Sequence, residues 1–384
     1  MIPYGKQDID QADIDAVVNI LRSDFLTQGP AVQLFESKLT EYCDAKYAVA
    51  VNSATSALHI ACLALGVGDK DIVWTSPITF VASSNSALYC GASVDFVDID
   101  YETNNICIAA LKEKLESAKL AGCLPKVIIP VHMGGLCCDM QSIFELSQEY
   151  GFKIIEDASH AIGGSYKEQK IGSCQYSNIT VFSFHPVKII TTAEGGAALT
   201  NEKAIIDKLI LLRSHGVTRD EEQMKSTSEG GWYYQQITLG FNYRMTDIQA
   251  ALGVSQMSRI DNFVTKRNQM AERYKSKLSN LPLDLPKNFD DTFSTFHLYI
   301  IKLKVSSPIS RLELYNGLQE NNIGCNVHYI PVHLHPYYKS LGFSIGDFPQ
   351  SEFWYSRAIS IPLHPNLSLD EQDHIIQVIK DLLK

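Results

Sequence analysis

At 384 residues the chain is too long for one small core, and two domains are predicted. An apolar fraction of 45% and a charged fraction of 20% match an ordinary soluble globular protein, and no 18-residue apolar run is present to span a membrane. A formal net charge of −10 argues against a nucleic-acid-binding surface but leaves room for an anionic small molecule met by local donors.

In chain order, the acidic opening "MIPYGKQDIDQADID" has neither the apolar stretch of a signal peptide nor the basic character of a transit peptide. Ile14, Val17, Val18 and Leu21 recur at helical spacing and predict a first amphipathic helix. Pro30 suits the first turn of a second helix running through "VQLFESKLTEYC". From about residue 45 to residue 250, short apolar runs alternate with helical segments. "YAVAV" (47–51) precedes "SATSALHIACLAL", "DIVWTS" precedes "TFVASSNSALYCG", "ASVDFVDID" precedes "IAALKEKLESAK" and "KVIIPV" precedes "DMQSIFELSQEYG"; "FKIIEDAS" and "NITVFSF" follow. Runs rich in Val and Ile between helices predict an α/β fold with a large, mainly parallel sheet covered on both faces.

The charged, glycine- and aromatic-rich "RDEEQMKSTSEGGWYYQQITLGFNYR" interrupts this rhythm and reads as a long functional loop. "TDIQAALGVSQMSRIDNFVTKRNQMAERYKSKL" then predicts one long helix joining two domains. "FHLYIIKLK", a helix from Ile309, "GCNVHYI" and a helix near 369–383 describe a small α+β domain. The expected division is a large domain with an N-terminal arm at 1–255 and a small C-terminal domain at 256–384. Nine cysteines without a CxxC pair suit reduced thiols in a cytoplasm.

The chemistry centres on "TVFSFHPVKIITTAEGG" (180–196). Lys188 follows an apolar run, where a partly desolvated amine has a lowered pKa and can serve as a base or a Schiff-base former. In "NSATSALH", Ser53 is either an ordinary helix cap or part of a phosphate cradle at a helix N-terminus. Asp157 ends the strand "FKIIED", where a carboxylate either caps a helix or meets a ligand cation. Phe80 is either core or a stacking platform. Ser183 and His185 lie close to Lys188, and Gly195-Gly196 permit close backbone approach. These positions sit on separate βα junctions of one sheet, so the fold brings them to one edge. Together they describe a site for a flat, phosphorylated aromatic cation condensed with a lysine, which fits pyridoxal phosphate. His328, His333 and His335 lack a nearby Cys or acidic residue to complete a metal set, so no metal is predicted. No GxGxxG follows a strand, which disfavours a dinucleotide-dependent dehydrogenase.

"EDASHAIGG", "FSFHPVKIITTAEGG" and "LGFNYRMTDIQAAL" resemble the signature blocks of the DegT/DnrJ/EryC1/StrS sugar aminotransferases, and the resemblance spans almost the whole chain. "MIPYGKQDID", "SDFLTQGP", "VAVNSATSALHIACLALG", "WTSPITFVASSN" and "NVHYIPVH" resemble one subgroup, the UDP-sugar 4-transaminases of pseudaminic acid biosynthesis. The resemblance implies the fold type I (aspartate aminotransferase-like) architecture of pyridoxal-phosphate enzymes. It makes Lys188 the Schiff-base lysine and catalytic residue, Asp157 the partner of the pyridine nitrogen, His160 a support for the ring or its phenolic oxygen, and Phe80 the stacking ring. Ala54, Thr55 and Ser183 would hold the phosphate, joined by Asn242 from a neighbouring subunit. Tyr4, Leu26, Thr27, Gln28, Gly29, Ser53, His185, Arg244, Val327, His328 and Tyr329 would surround the sugar nucleotide. It further implies a UDP-sugar substrate, L-glutamate as amino donor, and a homodimer with two composite sites. Two departures stand out: Ala193 where glycine is common, and His335 where the subgroup leads one to expect glutamine. Some relatives are dehydratases with histidine in place of the lysine, and Lys188 argues against that branch. A perosamine-type 4-aminotransferase and a non-catalytic sensing relative are the rival readings.

Overall fold

The computed structural model describes residues 1–384. Helices α1 (Gln11–Leu21) and α2 (Pro30–Cys43) open the chain, each where an amphipathic pattern and a cap coincide. Asp10 and Asp13 form a reciprocal capping box on α1, and Pro30 starts α2. The main sheet contains β1 (Tyr47–Val51), β2 (Ile72–Thr75), β3 (Ser93–Phe96), β4 (Val127–Ile129) and β5 (Lys153–Asp157). After a small hairpin, β6 (Ser165–Tyr166) and β7 (Gln169–Lys170), it is completed by β8 (Ile179–Ser183) and β9 (Gly196–Thr200). The helices between and after these strands are α3 (Ala54–Ala64), α4 (Ala82–Tyr89), α5 (Ile108–Ala121), α6 (Met140–Tyr150), α7 (Lys203–Arg213) and α8 (Asp247–Met257).

The sheet has seven strands in the order β1-β9-β8-β5-β4-β2-β3. The β8-β5-β4-β2-β3 pairs are parallel, whereas β9 runs antiparallel to both of its neighbours. Alternation decides the layers. Ala50, Trp74, Ile128, Ile154 and Phe182 face one core with Phe35, Leu39, Leu115 and Ile143 of α2, α5 and α6. Val49, Val73, Val127, Ile155 and Val181 face the other, with Leu58, Ala87, Ile205 and Leu209 of α3, α4 and α7. Both faces are buried, which is why the strand sequences are apolar throughout rather than alternating.

The single long helix expected after residue 246 is two helices, α8 and α9 (Ile260–Leu278). The break falls at Arg259, whose backbone leaves the helical region at φ −113°, ψ 2°. Its guanidinium bonds to Asp8 at 2.9 Å and Asp10 at 3.2 Å and also grips Asp13, while Gln256 donates to the Asp8 carbonyl at 2.8 Å. Long-range ion pairing to the N-terminal arm thus overrides local helix propensity. Within α9, Phe263 and Val264 still pack on the sheet, and Ala271, Tyr274 and Leu278 belong to a further core. The packing therefore changes hands inside α9, beyond residue 255.

The loop after α7 carries a hairpin, β10 (Val217–Thr218) with β11 (Gln235–Gln236), and exposes Trp232 and Tyr234. The last third has a three-stranded sheet, β12 (Leu283–Asp284), β14 (Tyr299–Leu303) and β15 (Ala358–Ile361), with β13 (Thr292–Phe293) joined to β6 instead. Helices α10 (Arg311–Glu320), α11 (Pro336–Ser340), α12 (Pro349–Tyr355) and α13 (Leu369–Leu382) complete the chain. Ile301, Leu314, Ile359, Ile375 and Ile379 fill its core. The N-terminal arm crosses to this unit, with Ile2 bridged to Ile323 and Leu363 N–H donating to the Tyr4 carbonyl at 3.1 Å. No helix is long and apolar enough to cross a membrane.

Candidate active site

The carboxyl ends of β1, β2, β5 and β8 open into one cavity of about 490 Å³. Tyr4, Ser53, Ala54, Thr55, Phe80, Asp157, His160, Ser183, His185, Lys188, Val327, His328 and Tyr329 all line it. At its base, α3 begins with Ser53 as N-cap, its hydroxyl accepting the Ser56 N–H at 3.1 Å. The N–H groups of Ala54 and Thr55 lie in the first turn, where no intrahelical carbonyl is available to them. Gly196 passes so close that a Cβ there would sit 2.5 Å from the Ala54 nitrogen, so only glycine lets β9 run beside this cradle.

Lys188 sits on a loop tied at both ends. Ser183 pairs with Gly196 across β8 and β9, Phe184 N–H donates to the Gly195 carbonyl at 2.9 Å, and Thr192 N–H donates to the Phe184 carbonyl at 3.0 Å. Ala193 takes φ +64°, a left-handed conformation costing a non-glycine residue roughly 1 kcal/mol. That accounts for glycine being common there, and Ala193 does not line the cavity. Burial pushes the Lys188 amine down to about 8, against the opposing pull of Asp157.

This shift has a stability consequence. Without cofactor, the folded state binds the Lys188 proton less tightly than the unfolded chain, whose lysine titrates near 10.4. The resulting penalty is complete below pH 8 and fades as pH rises toward the unfolded value. Allowing for water reaching the amine through the cavity, it is about 2 kcal/mol. Cofactor-free Lys188→Met is expected to exceed wild type in stability by that amount at pH 7, with the gap closing above pH 10; denaturant titrations at the two pH values check it.

Asp157 is buried at the end of β5, accepting the Ser159 N–H on Oδ1 at 3.1 Å and the Ser83 hydroxyl on Oδ2 at 2.7 Å. His160 accepts the Gly134 N–H on Nδ1 at 3.3 Å, which places its own proton on Nε2, 3.4 Å from the Tyr329 hydroxyl. Burial, and then the positive field of Lys188, hold this imidazole well below its ordinary range, so it is neutral. Phe80, 57% exposed, turns its ring to the cavity 6.0 Å from that of Tyr329. Tyr4 packs against His328 at 5.0 Å, and His328 shares a hydrogen bond with Ser360 at 2.9 Å.

Sequence reasoning missed Thr79, Ser159, Glu194, His297 and Asn326, which also line the cavity. Glu194 and Asn326 adjoin quoted motifs ("AEGG" and "NVHY"), whereas nothing local marks His297, whose ring lies 4.4 Å from that of His160. Leu26, Thr27, Gln28, Gly29, Asn242 and Arg244 do not line this chain's cavity. Asp247 holds the first group, accepting the Gly29 N–H at 2.8 Å and donating its own N–H to the Leu26 carbonyl at 3.0 Å. Asn242 bridges to Ser214, and Arg244 donates to the Ser214 hydroxyl at 3.0 Å. The three histidines diverge: His333 pairs with Glu352 at 3.0 Å and His335 lines a separate groove.

A desolvated amine, a buried carboxylate, an open aromatic ring and a helix N-terminus around one cavity fit a phosphorylated aromatic cation that condenses with amines. The chain matches the DegT/DnrJ/EryC1/StrS aminotransferase family over residues 7–380. The spore coat polysaccharide biosynthesis protein SpsC of Bacillus subtilis (strain 168) is 39% identical over 100% of this chain and 97% of its own. The UDP-4-amino-4,6-dideoxy-N-acetyl-beta-L-altrosamine transaminase of Campylobacter jejuni (serotype O:23/36) is 38% identical over 100% of this chain and 98% of its own. The structure of Spr1654 from Streptococcus pneumoniae in its PLP form superposes with a TM-score of 0.89, at 31% identity and 100% coverage of both chains. The chain belongs to the DegT/DnrJ/EryC1/StrS aminotransferase family, α/β enzymes that work with pyridoxal phosphate.

Proposed function

We propose that the protein aminates C4 of a UDP-linked 4-keto-6-deoxy sugar, UDP-2-acetamido-2,6-dideoxy-β-L-arabino-hexos-4-ulose, with L-glutamate as donor, in pseudaminic acid biosynthesis in the cytoplasm. The observation that carries the reading is Lys188, desolvated in a cavity that also holds Asp157. The Campylobacter relative named for such a UDP-sugar supports the substrate, as do the sequence blocks shared with that subgroup. The Bacillus relative, named for spore coat polysaccharide, keeps a second reading in play, in which the same chemistry serves another nucleotide sugar.

Pyridoxal phosphate, when bound, supplies an electron sink for the carbanion formed beside the transferred nitrogen. The chain's residues do the rest. Lys188 would hold the cofactor through Nζ and, as a free amine, would carry the proton that the reaction moves. Burial holds the cofactor-free amine down to about 8, which brings its base form toward neutral pH. Asp157 would pair with the ring nitrogen and favour its protonated form. Phe80 would stack on the ring, and neutral His160 would donate to it from Nε2. The Ala54 and Thr55 N–H groups and the Ser183 hydroxyl would hold the phosphate. Tyr4, Ser53, His185 and Val327 to Tyr329 wall the sugar side. Asn242, Arg244 and the Leu26–Gly29 loop complete the site from a second subunit in a homodimer, consistent with their standing outside their own chain's cavity.

Offering glutamate with a panel of UDP- and GDP-linked 4-keto-6-deoxy sugars tests this. The expected result is a 4-amino product, identified by mass and NMR, formed fastest from the UDP-linked N-acetyl sugar. Preference for a GDP sugar would establish the second reading, and absence of any 4-amino product would sink both.

A further inference from the structure

We propose that Thr79 and Ser83 form a hydroxyl relay that stops the Asp157 carboxylate from taking a proton, so that the proton stays on the cofactor's ring nitrogen. The inference rests on the role given to Asp157 above. Thr79, Ser83 and Asp157 are each at most 5% exposed. The Ser83 hydroxyl lies 2.7 Å from Asp157 Oδ2 and 2.7 Å from the Thr79 hydroxyl.

The proton order follows from chemistry alone. An ionised carboxylate only accepts, so the single hydroxyl proton of Ser83 goes to Asp157. Ser83 then has nothing to give Thr79, so Thr79 donates to Ser83. With the Ser159 N–H on Oδ1, each carboxylate oxygen receives one donor, and donors to the charged form favour it. Ser83 is a positioning residue: it does not line the cavity and acts on the cofactor through the carboxylate of Asp157. Its alternative acceptor, the Phe80 carbonyl, is distant at 3.4 Å, so helix capping does not account for its orientation.

Removing the Ser83 hydroxyl makes the carboxylate a stronger base. The balance then moves toward breaking the ring N–H bond and forming an O–H bond on the carboxylate, with a cation–anion pair becoming a neutral one. No other reactant enters.

Holoenzyme reconstituted with cofactor ¹⁵N-labelled at the ring nitrogen reports this directly. In Ser83→Ala the nitrogen resonance is expected to move toward the unprotonated position at neutral pH, with cofactor Kd weakened about tenfold. Ser83→Thr should keep the wild-type resonance. Thr79→Val, which leaves Ser83 in place, should move it less and in the same direction. A wild-type resonance in Ser83→Ala and Thr79→Val, alongside a shifted one in Asp157→Asn, would overturn the relay and leave the role of Asp157 standing. A wild-type resonance in Asp157→Asn would overturn both.

Discussion

Lys188→Ala is expected to lower turnover on the keto sugar by about 10³-fold or more, because the change removes the cofactor's anchor and the proton carrier together. The fold should be untouched. The loop is pinned by the Ser183–Gly196 pair and the bonds from Phe184 and Thr192, none of which involves the lysine side chain. The phosphate cradle at Ala54 and Thr55 also survives, so cofactor should still bind without a covalent link. Borohydride reduction of wild type should leave the cofactor's mass on the peptide containing Lys188, and reduction of the variant should leave it nowhere. Residual single-turnover transamination within tenfold of wild type would remove Lys188 from the mechanism.

Asp157→Asn should cost about 10²- to 10³-fold in kcat, the scale seen when one preorganised electrostatic partner is lost from a desolvated site. Its amide fits the same space, with the oxygen keeping the Ser159 N–H and the NH2 donating to the Ser83 hydroxyl, which turns to donate to Thr79. The effect is then mainly one of charge. The residue lines the cavity from the end of β5, a different element from those that carry Tyr4, Val327 and His328, so KM for the sugar nucleotide should change little. Steady-state kinetics with kcat and KM separated provides the check. A loss confined to KM would place Asp157 against the substrate instead.

The strands of the main sheet were legible because burial on both faces makes them uninterrupted apolar runs, as in "YAVAV" and "KVIIPV". Strand β9 was not: "GAALT" has small residues with weak strand preference, and its neighbours β1 and β8 impose the conformation. The α8–α9 break was equally hidden, since no Gly or Pro marks "QMSRID"; the carboxylates that pull Arg259 aside are about 250 residues earlier in the chain. At the site, Lys188, Asp157, Phe80 and the Ser53–Thr55 turn were readable because each lies at or just beyond the carboxyl end of a strand of one sheet. His297 and Asn326 reach the same cavity from the C-terminal unit, and no local pattern encodes that approach. Leu26–Gly29, Asn242 and Arg244 came from family resemblance, and one chain alone does not bring them to the cavity.

The lysine segment departs from Ser183 and returns at Gly196, adjacent partners in the same ladder. To the sheet it is an insertion held by its two ends and by Phe184, Ile189 and Ile190, which are buried in the core beside α2, and Lys188 is not among these anchoring residues. The side chain at position 188 can be exchanged, amine for imidazole, while those anchors stay in place and every strand keeps its register. New reactivity can therefore arise on this scaffold without renegotiating its folding.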